Sequence, residues 1–390
     1  MYGECVMIES YNRKGLCVSF HDIQLLSAFL FFLLIPLKNT GIVHYVIWLG
    51  VIATTANVFF TLKNTGCKKN YVVIFCMILL TMIVSLFTSN KNIDSGLSYA
   101  LVCYFSLYWL IALNNHFSFT EREKNTIFRF AVMSGIVFSV YSFMPFAYYR
   151  DNNTVAPTLT LYFGNSNLTG IYLFATICLL SVLFSRTRHK KLLALLIVYL
   201  FYLTWLTGAR TCMVAAVFVL VSSIVPARFH VPKVVVVVAF LFPIVFVPFY
   251  LALFRSGYAD ITLMGKSLFS GRQGTFLDYL SLLHTPLQWC VGNLGEANLA
   301  NAHNAPLAHL CSTGLIGTSL FYGMMLNKVL NSTKNSSTKM QRTALICILG
   351  FFLQSSGEAS IFLGGFPGSV FVYLLFLCMR EENDADNICI

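Results

Sequence analysis

Charge is scarce in this chain. Only 11% of its 390 residues are charged, and 15 of them are acidic, against 57% hydrophobic residues and a mean hydropathy of +0.73. A water-soluble domain needs more polar surface than that to face solvent, so a soluble globular class is excluded. Short alternating strands are missing too, which excludes a membrane β-barrel. Apolar runs recur along nearly the whole length. They describe an all-α polytopic membrane protein, with a single transmembrane domain over residues 1–390. No Ala-x-Ala-like cleavage site follows the first apolar run, Leu25 to Leu37, so it is expected to be a retained first span rather than a signal peptide.

Several catalytic signatures are also absent. There is no GxxxxGK[ST] loop and no HExxH. The acids that fall outside the membrane in the topology below are scattered, with no DxD or carboxylate pair; the acidic cluster "EENDAD" (381–386) reads as a cytoplasmic tail. Nucleotide hydrolysis and a Mg²⁺ or Zn²⁺ site therefore have no sequence support, and no cofactor is expected. The twelve cysteines form no CxxC and lie mostly within apolar runs, where a thiol acts as a small hydrophobe. The net charge of +11 comes from lysines and arginines dispersed in short connections, not from one basic face. That pattern sets membrane orientation and gives no indication of nucleic acid binding.

A helix needs about 20 apolar residues to cross the hydrocarbon, fewer if its ends snorkel. Candidate spans fall near 22–37, 43–62, 71–88, 96–113, 127–147, 166–184, 192–207, 209–225, 233–253, 304–326, 342–357 and 361–379. With twelve transmembrane helices and both termini cytoplasmic, 19 of the 26 Lys and Arg residues lie inside and seven outside. One large extracytoplasmic loop, 254–303, then separates spans 9 and 10. Its stretch "GTFLDYLSLLHTPLQW" has apolar residues at helical spacing and predicts an interfacial helix along the membrane surface.

This topology gathers the unusual polar residues on the outer face. Arg210 sits at the tip of a tight hairpin, Arg272 in the large loop, and His303 with Asn304 at the mouth of the tenth span. Asn165 and Asn167 open the sixth span. Each has an ordinary explanation. An arginine can snorkel to headgroups, an asparagine can cap a helix, and Glu296 and Glu358 are expected to be solvated. Jointly they suggest more. Guanidinium forks bind phosphate oxygens bidentately. A neutral imidazole at a helix N-terminus can take a proton from a hydroxyl. Phosphate held by arginines beside a base suits transfer of a group from a phosphate-bearing donor.

Four elements resemble the O-antigen ligase and O-antigen polymerase superfamily of bacterial membrane proteins. His303-Asn304, nine residues, then Gly314-Leu-Ile-Gly317 is similar to its His-Asn-(nine)-Gly-x-x-Gly signature. "LTGART" resembles the Thr-x-Ser-Arg hairpin, with Arg210 on the arginine and Ala209 in place of Ser. "SGRQGTF" resembles Ser-Gly-Arg-(three)-Trp, with Arg272 on the arginine and Phe276 in place of Trp. "GNSNLTG" resembles Gly-Asn-Pro-Asn, with Ser166 for Pro. Coverage runs from about residue 160 to 325.

The resemblance implies a metal-independent, inverting glycosyltransferase of the bacterial inner (cytoplasmic) membrane. Its partners would be an undecaprenyl-diphosphate-linked oligosaccharide, the lipid bilayer, a flippase and a chain-length regulator. His303 would be the general base; Arg210 and Arg272 would bind the diphosphate; Asn304, Asn165, Asn167 and Glu296 would support them. Polymerisation of a surface polysaccharide, O-antigen or capsule, is the favoured reaction. The alternatives are ligation to lipid A core and, in another class, transport of a small solute or inorganic carbon. Small Gly314 and Gly317 are expected to let helices approach closely.

Overall fold

The computed structural model describes residues 20–65, 69–87, 121–149, 158–184, 187–224, 230–257, 262–263, 266–267, 272–294, 302–335, 338–358 and 368–379. Among them the chain is helical apart from two short antiparallel pairs. Helix α1 (Phe20–Leu34) runs through a 3-10 turn (Ile35–Thr40) into α2 (Ile42–Thr65), followed by α3 (Lys69–Phe87) and α4 (Glu121–Tyr141). Strand β1 (Tyr148–Tyr149) pairs with β2 (Thr158–Leu159), Tyr148 opposite Leu159. Then come α5 (Ser166–Leu183), α6 (Lys190–Thr207), α7 (Arg210–Ile224) and α8 (Lys233–Arg255). The hairpin β3 (Thr262–Leu263) and β4 (Lys266–Ser267) precedes two short helices, α9 (Arg272–Ser281) and α10 (Pro286–Val291). Helices α11 (Ala305–Asn335), α12 (Lys339–Gln354) and α13 (Gly368–Cys378) complete the described chain.

Four helices are long and apolar enough to cross a membrane: His21–Thr40, Ser166–Leu183, Lys190–Thr207 and Lys233–Arg255. Shorter apolar helices cover Ile42–Val58, Val72–Phe87, Asn125–Tyr141, Arg210–Ile224 and Gly368–Cys378. The range expected for the fourth span, 96–113, lies outside the described residues, as do both termini.

The surface of these helices explains why the composition is so apolar. On α6, Leu192, Leu195, Val198 and Tyr202 recur at three- and four-residue intervals and are all exposed, while Leu193, Ile197, Leu200 and Leu203 are buried. Val234, Val238, Val245 and Phe249 on α8 are likewise exposed. A helix apolar on its outward face suits hydrocarbon rather than water. This is a helical membrane protein.

Two helices form the centre. Nearly every residue of α5 and α12 is buried. Helix α5 packs against α4, α6, α7, α12 and α13, and α12 against α5, α7, α8, α11 and α13. The Phe174 and Phe351 rings meet at 4.8 Å between these two helices. The turn that follows α12 leads into the site described below.

The tenth expected span differs from the sequence reading. Rather than one continuous helix from residue 304, α11 breaks at Gly314, whose φ of 63° and ψ of −171° are not helical. His309 stacks on Phe321 at 4.5 Å across the break. A straight helix would separate those residues by about 18 Å along its axis, so the chain turns sharply there. The segment 305–313 is a short buried helix, and the long arm starts at Leu315.

In the region 254–303, where one interfacial helix was expected, the described residues form two helices, α9 and α10. Phe276 and Tyr279 of α9 and Val291 of α10 are buried, while Leu277, Leu287 and Trp289 are exposed. The chain after α10 is tied down by backbone. Asn293 N–H donates to Cys311 O at 2.6 Å, and Leu294 N–H donates to Ser85 Oγ of α3 at 2.7 Å. The break in α11 provides the landing place for α10 and the residues after it.

Candidate functional site

Four chain ends meet near one carboxylate. The α6–α7 hairpin supplies the first. Helix α6 closes on Gly208, left-handed at φ 65°, whose N–H donates to Trp205 O. Thr207 Oγ1 accepts from Ala209 N–H at 3.1 Å, and Arg210 then starts α7. The second end is the start of α9, where Arg272 is the first helical residue. The third is His303-Asn304, just before α11, and the fourth is the turn Ser355 to Glu358 that follows α12.

Asn304 joins the third end to the fourth. Its side chain is fully buried. Nδ2 donates to Pro243 O of α8 at 2.9 Å and to Ser356 O at 3.1 Å, while Oδ1 accepts from Leu307 N–H at 2.9 Å as the cap of α11. Ala305 N–H donates to Ser355 O at 3.0 Å. Asn304→Ala removes a cap worth about 1 kcal/mol and leaves two buried carbonyls to find other donors. A total loss of about 2–4 kcal/mol is expected, read as a lowered unfolding temperature of the detergent-solubilised protein.

With Asn304 fixed, the neighbouring His303 takes a left-handed backbone, φ 49°. Such φ values are uncommon outside glycine, although histidine is among the residues that tolerate them. The imidazole is thereby aimed at the turn after α12. Its Nδ1 lies 3.2 Å from Glu358 Oε2. Arg272 Nη2 donates to the other oxygen, Oε1, at 2.8 Å. The Glu358 side chain is 8% exposed, against 19% for Arg272 and 30% for His303. A carboxylate so enclosed needs its charge compensated, and Arg272 provides that.

Arg210 belongs to the same group. Its charge and that of Arg272 act on each other, and both act on Tyr250 of α8. The Tyr250 ring meets Phe276 of α9 at 5.4 Å. Gly357 keeps the group compact: a Cβ there would fall 2.3 Å from Thr211 Cγ2 and 2.7 Å from Arg272 Nη1. The start of α7 and the Arg272 guanidinium therefore both pack into the space a side chain at 357 would fill. Nearby, burial chiefly, with Cys311 adding to it, pushes the Tyr279 hydroxyl up to about 12, so it stays neutral.

Of the residues singled out in the sequence, Arg210, Arg272, His303 and Asn304 are thus neighbours. Asn165 is the cap of α5, accepting from Asn167 N–H at 2.8 Å and Leu168 N–H at 3.2 Å. The capping explanation accounts for it, and Asn167 enters that turn through its backbone. Glu296 lies outside the described residues. Among the described residues, no group of three or more His, Cys, Asp or Glu side chains is placed to hold a metal ion.

The residue that sequence reasoning placed wrongly is Glu358. It was expected in solvent and is buried between Arg272 and His303. The signal was "QSSGE" at the end of an apolar run. Small residues there let a turn sink into the protein and carry the carboxylate with it. Compared with protein-family models and with curated proteins, the chain matches none.

Proposed function

We propose that this protein is a glycosyltransferase of the bacterial inner membrane that extends a cell-surface polysaccharide. In this reading an undecaprenyl-diphosphate-linked glycan is the donor, and a sugar hydroxyl of a second lipid-linked unit is the acceptor. The observation that carries it is the convergence of Arg272 and His303 from separate chain segments on Glu358, with Arg210 close enough to Arg272 for their charges to interact.

The chemistry follows from those groups. The acceptor O–H gives its proton to the ring nitrogen of His303 that faces away from Glu358, Nε2. The acceptor oxygen bonds to the anomeric carbon, and the bond from that carbon to the diphosphate oxygen breaks. The diphosphate leaves with the electron pair, and Arg210 and Arg272 stabilise its charge. Attack opposite the leaving group inverts the anomeric configuration. Diphosphate is already a good leaving group, so a base and a pair of cations suffice.

The broken helix α11 supplies an argument on the rival class. Transporters use interrupted helices to present bare backbone to a solute. Here the interruption is filled: a Cβ on Gly314 would lie 2.2 Å from Cys290 O and 2.3 Å from Val291 N. The break works as a packing joint, which favours the enzyme reading.

Two measurements test it. A strain lacking the protein is expected to carry single repeat units in place of polymer. Unattached full-length polymer would point to ligation instead, and an unchanged glycan profile would defeat the proposal. Arg272→Lys keeps the charge and loses the fork. It is expected to lower transfer about 10- to 100-fold, and wild-type transfer would reduce Arg272 to an ordinary interfacial arginine.

A further inference from the structure

We infer that Glu358 is a positioning residue that sets which nitrogen of His303 carries the proton. The inference rests on the glycosyl-transfer reading for its functional consequence, but not for its geometry.

The argument starts from what each partner can do. Arginine has only donors, so Arg272 Nη2 fixes Glu358 Oε1 as an acceptor at 2.8 Å. The carboxylate is ionised in that pairing, and its second oxygen, Oε2, also only accepts. His303 Nδ1 sits 3.2 Å away and satisfies that oxygen by carrying a hydrogen. A neutral imidazole has one N–H, so Nε2 is then the lone-pair nitrogen. Burial of Glu358 makes the preference strong, because water competes poorly there for Oε2. The backbone at His303 and the Asn304 anchor limit how far the ring can swing to a different partner. The other titratable groups that act on this trio are Arg210 and Cys212 from α7 and Tyr250 from α8.

Arg272 therefore does a second job. By claiming one oxygen it fixes the direction in which the Glu358 side chain can be read. The consequence appears with an amide at 358. In Glu358→Gln the arginine can only donate, so the amide oxygen takes the place beside Arg272 and the NH₂ is forced toward His303. An NH₂ group donates, so Nδ1 must lose its hydrogen and Nε2 must take it. The variant keeps shape and volume while reversing the tautomer. The base is lost although every side chain of the site except 358 is unchanged.

The experiment uses the full chain, labelled with ring-¹⁵N histidine and held in lipid nanodiscs. The His303 signals are assigned as those lost in His303→Gln. Spectra are taken near pH 9, well above the ordinary histidine value of about 6.5. Wild type is expected to show protonated Nδ1 and bare Nε2, and Glu358→Gln the reverse. A wild-type His303 protonated on Nε2, or the same tautomer in both proteins, overturns the inference. Should Glu358→Gln not accumulate in the membrane, the wild-type spectrum alone decides.

Turnover with an undecaprenyl-diphosphate oligosaccharide is the second readout. Glu358→Gln is expected to lower kcat roughly 10³-fold or more, as a reversed tautomer does in other histidine bases, with KM for the donor within about threefold. Glu358→Asp keeps two accepting oxygens and is expected to recover part of kcat. A carboxylate with a merely structural role would lower stability in both variants and leave kcat of the folded fraction unchanged. If the tautomer reverses but wild type transfers no glycan, the positioning stands and the glycosyl-transfer reading falls.

Discussion

Replacing His303 by alanine is expected to abolish glycan extension, with transfer falling at least 10²- to 10⁴-fold, the range that a positioned general base contributes. The change removes the imidazole without touching the anchor beside it. Asn304 keeps its bonds to Pro243, Ser356 and Leu307, so α11 should start where it does now. Alanine at φ 49° is mildly strained, and membrane content must be measured alongside activity. Normal amounts of protein with single repeat units on the cell surface is the expected pair of results. Normal extension would remove His303 from the reaction, and with it the reason for a base at this place. Loss of the protein itself would call for His303→Asn, which tolerates the same backbone and has no basic nitrogen.

The second large effect is on folding. Gly314→Ala is expected to destabilise the protein by at least about 3 kcal/mol, from a backbone conformation reserved for glycine together with a clash. The added methyl would enter the backbone of Cys290 and Val291. Neither can withdraw, because Asn293 and Leu294, just beyond, are bonded to Cys311 and to Ser85 of α3. Unfolding temperature and yield of monodisperse protein in detergent measure the loss. Gly323→Ala is the control. It lies in the long arm of the same helix with nothing within 4 Å of its Cβ position, and alanine there should be neutral or stabilising by up to about 1 kcal/mol. Equal behaviour of the two variants would show that the break tolerates a side chain.

These two positions also show what the sequence could and could not disclose. Apolar periodicity announces helices, and each expected range that falls on described residues carries one. The break at Gly314 was hidden because glycine in an apolar helix has two meanings. It permits close helix packing, the meaning inferred, or it permits a backbone that no other residue adopts. Gly317 fits the first, with a Cβ there 2.9 Å from Thr81 Oγ1 of α3; Gly314 fits the second. Choosing between them needs the partner segment, Cys290–Val291, which is more than twenty residues away and carries no sequence sign of what it packs against. Arg210, Arg272 and His303 were legible as residues with unusual chemistry for a membrane chain. Glu358 was not, since a carboxylate after a span usually faces water and only tertiary contact says otherwise. Asn165 was legible in its plain sense, a polar residue that caps the helix after it.

The shortness of α12 has its own consequence. Its 16 residues rise about 24 Å, some 6 Å less than a typical hydrocarbon core. Glu358 follows within four residues, so if α12 crosses the bilayer, as the twelve-span reading proposes, the cluster would occupy a polar dimple below the headgroup plane. An amphiphile could then slide in from the leaflet with its tail still among acyl chains, dipping an anionic head downward by about one helical turn. Delivery would be lateral and two-dimensional, and its rate would respond to membrane thickness.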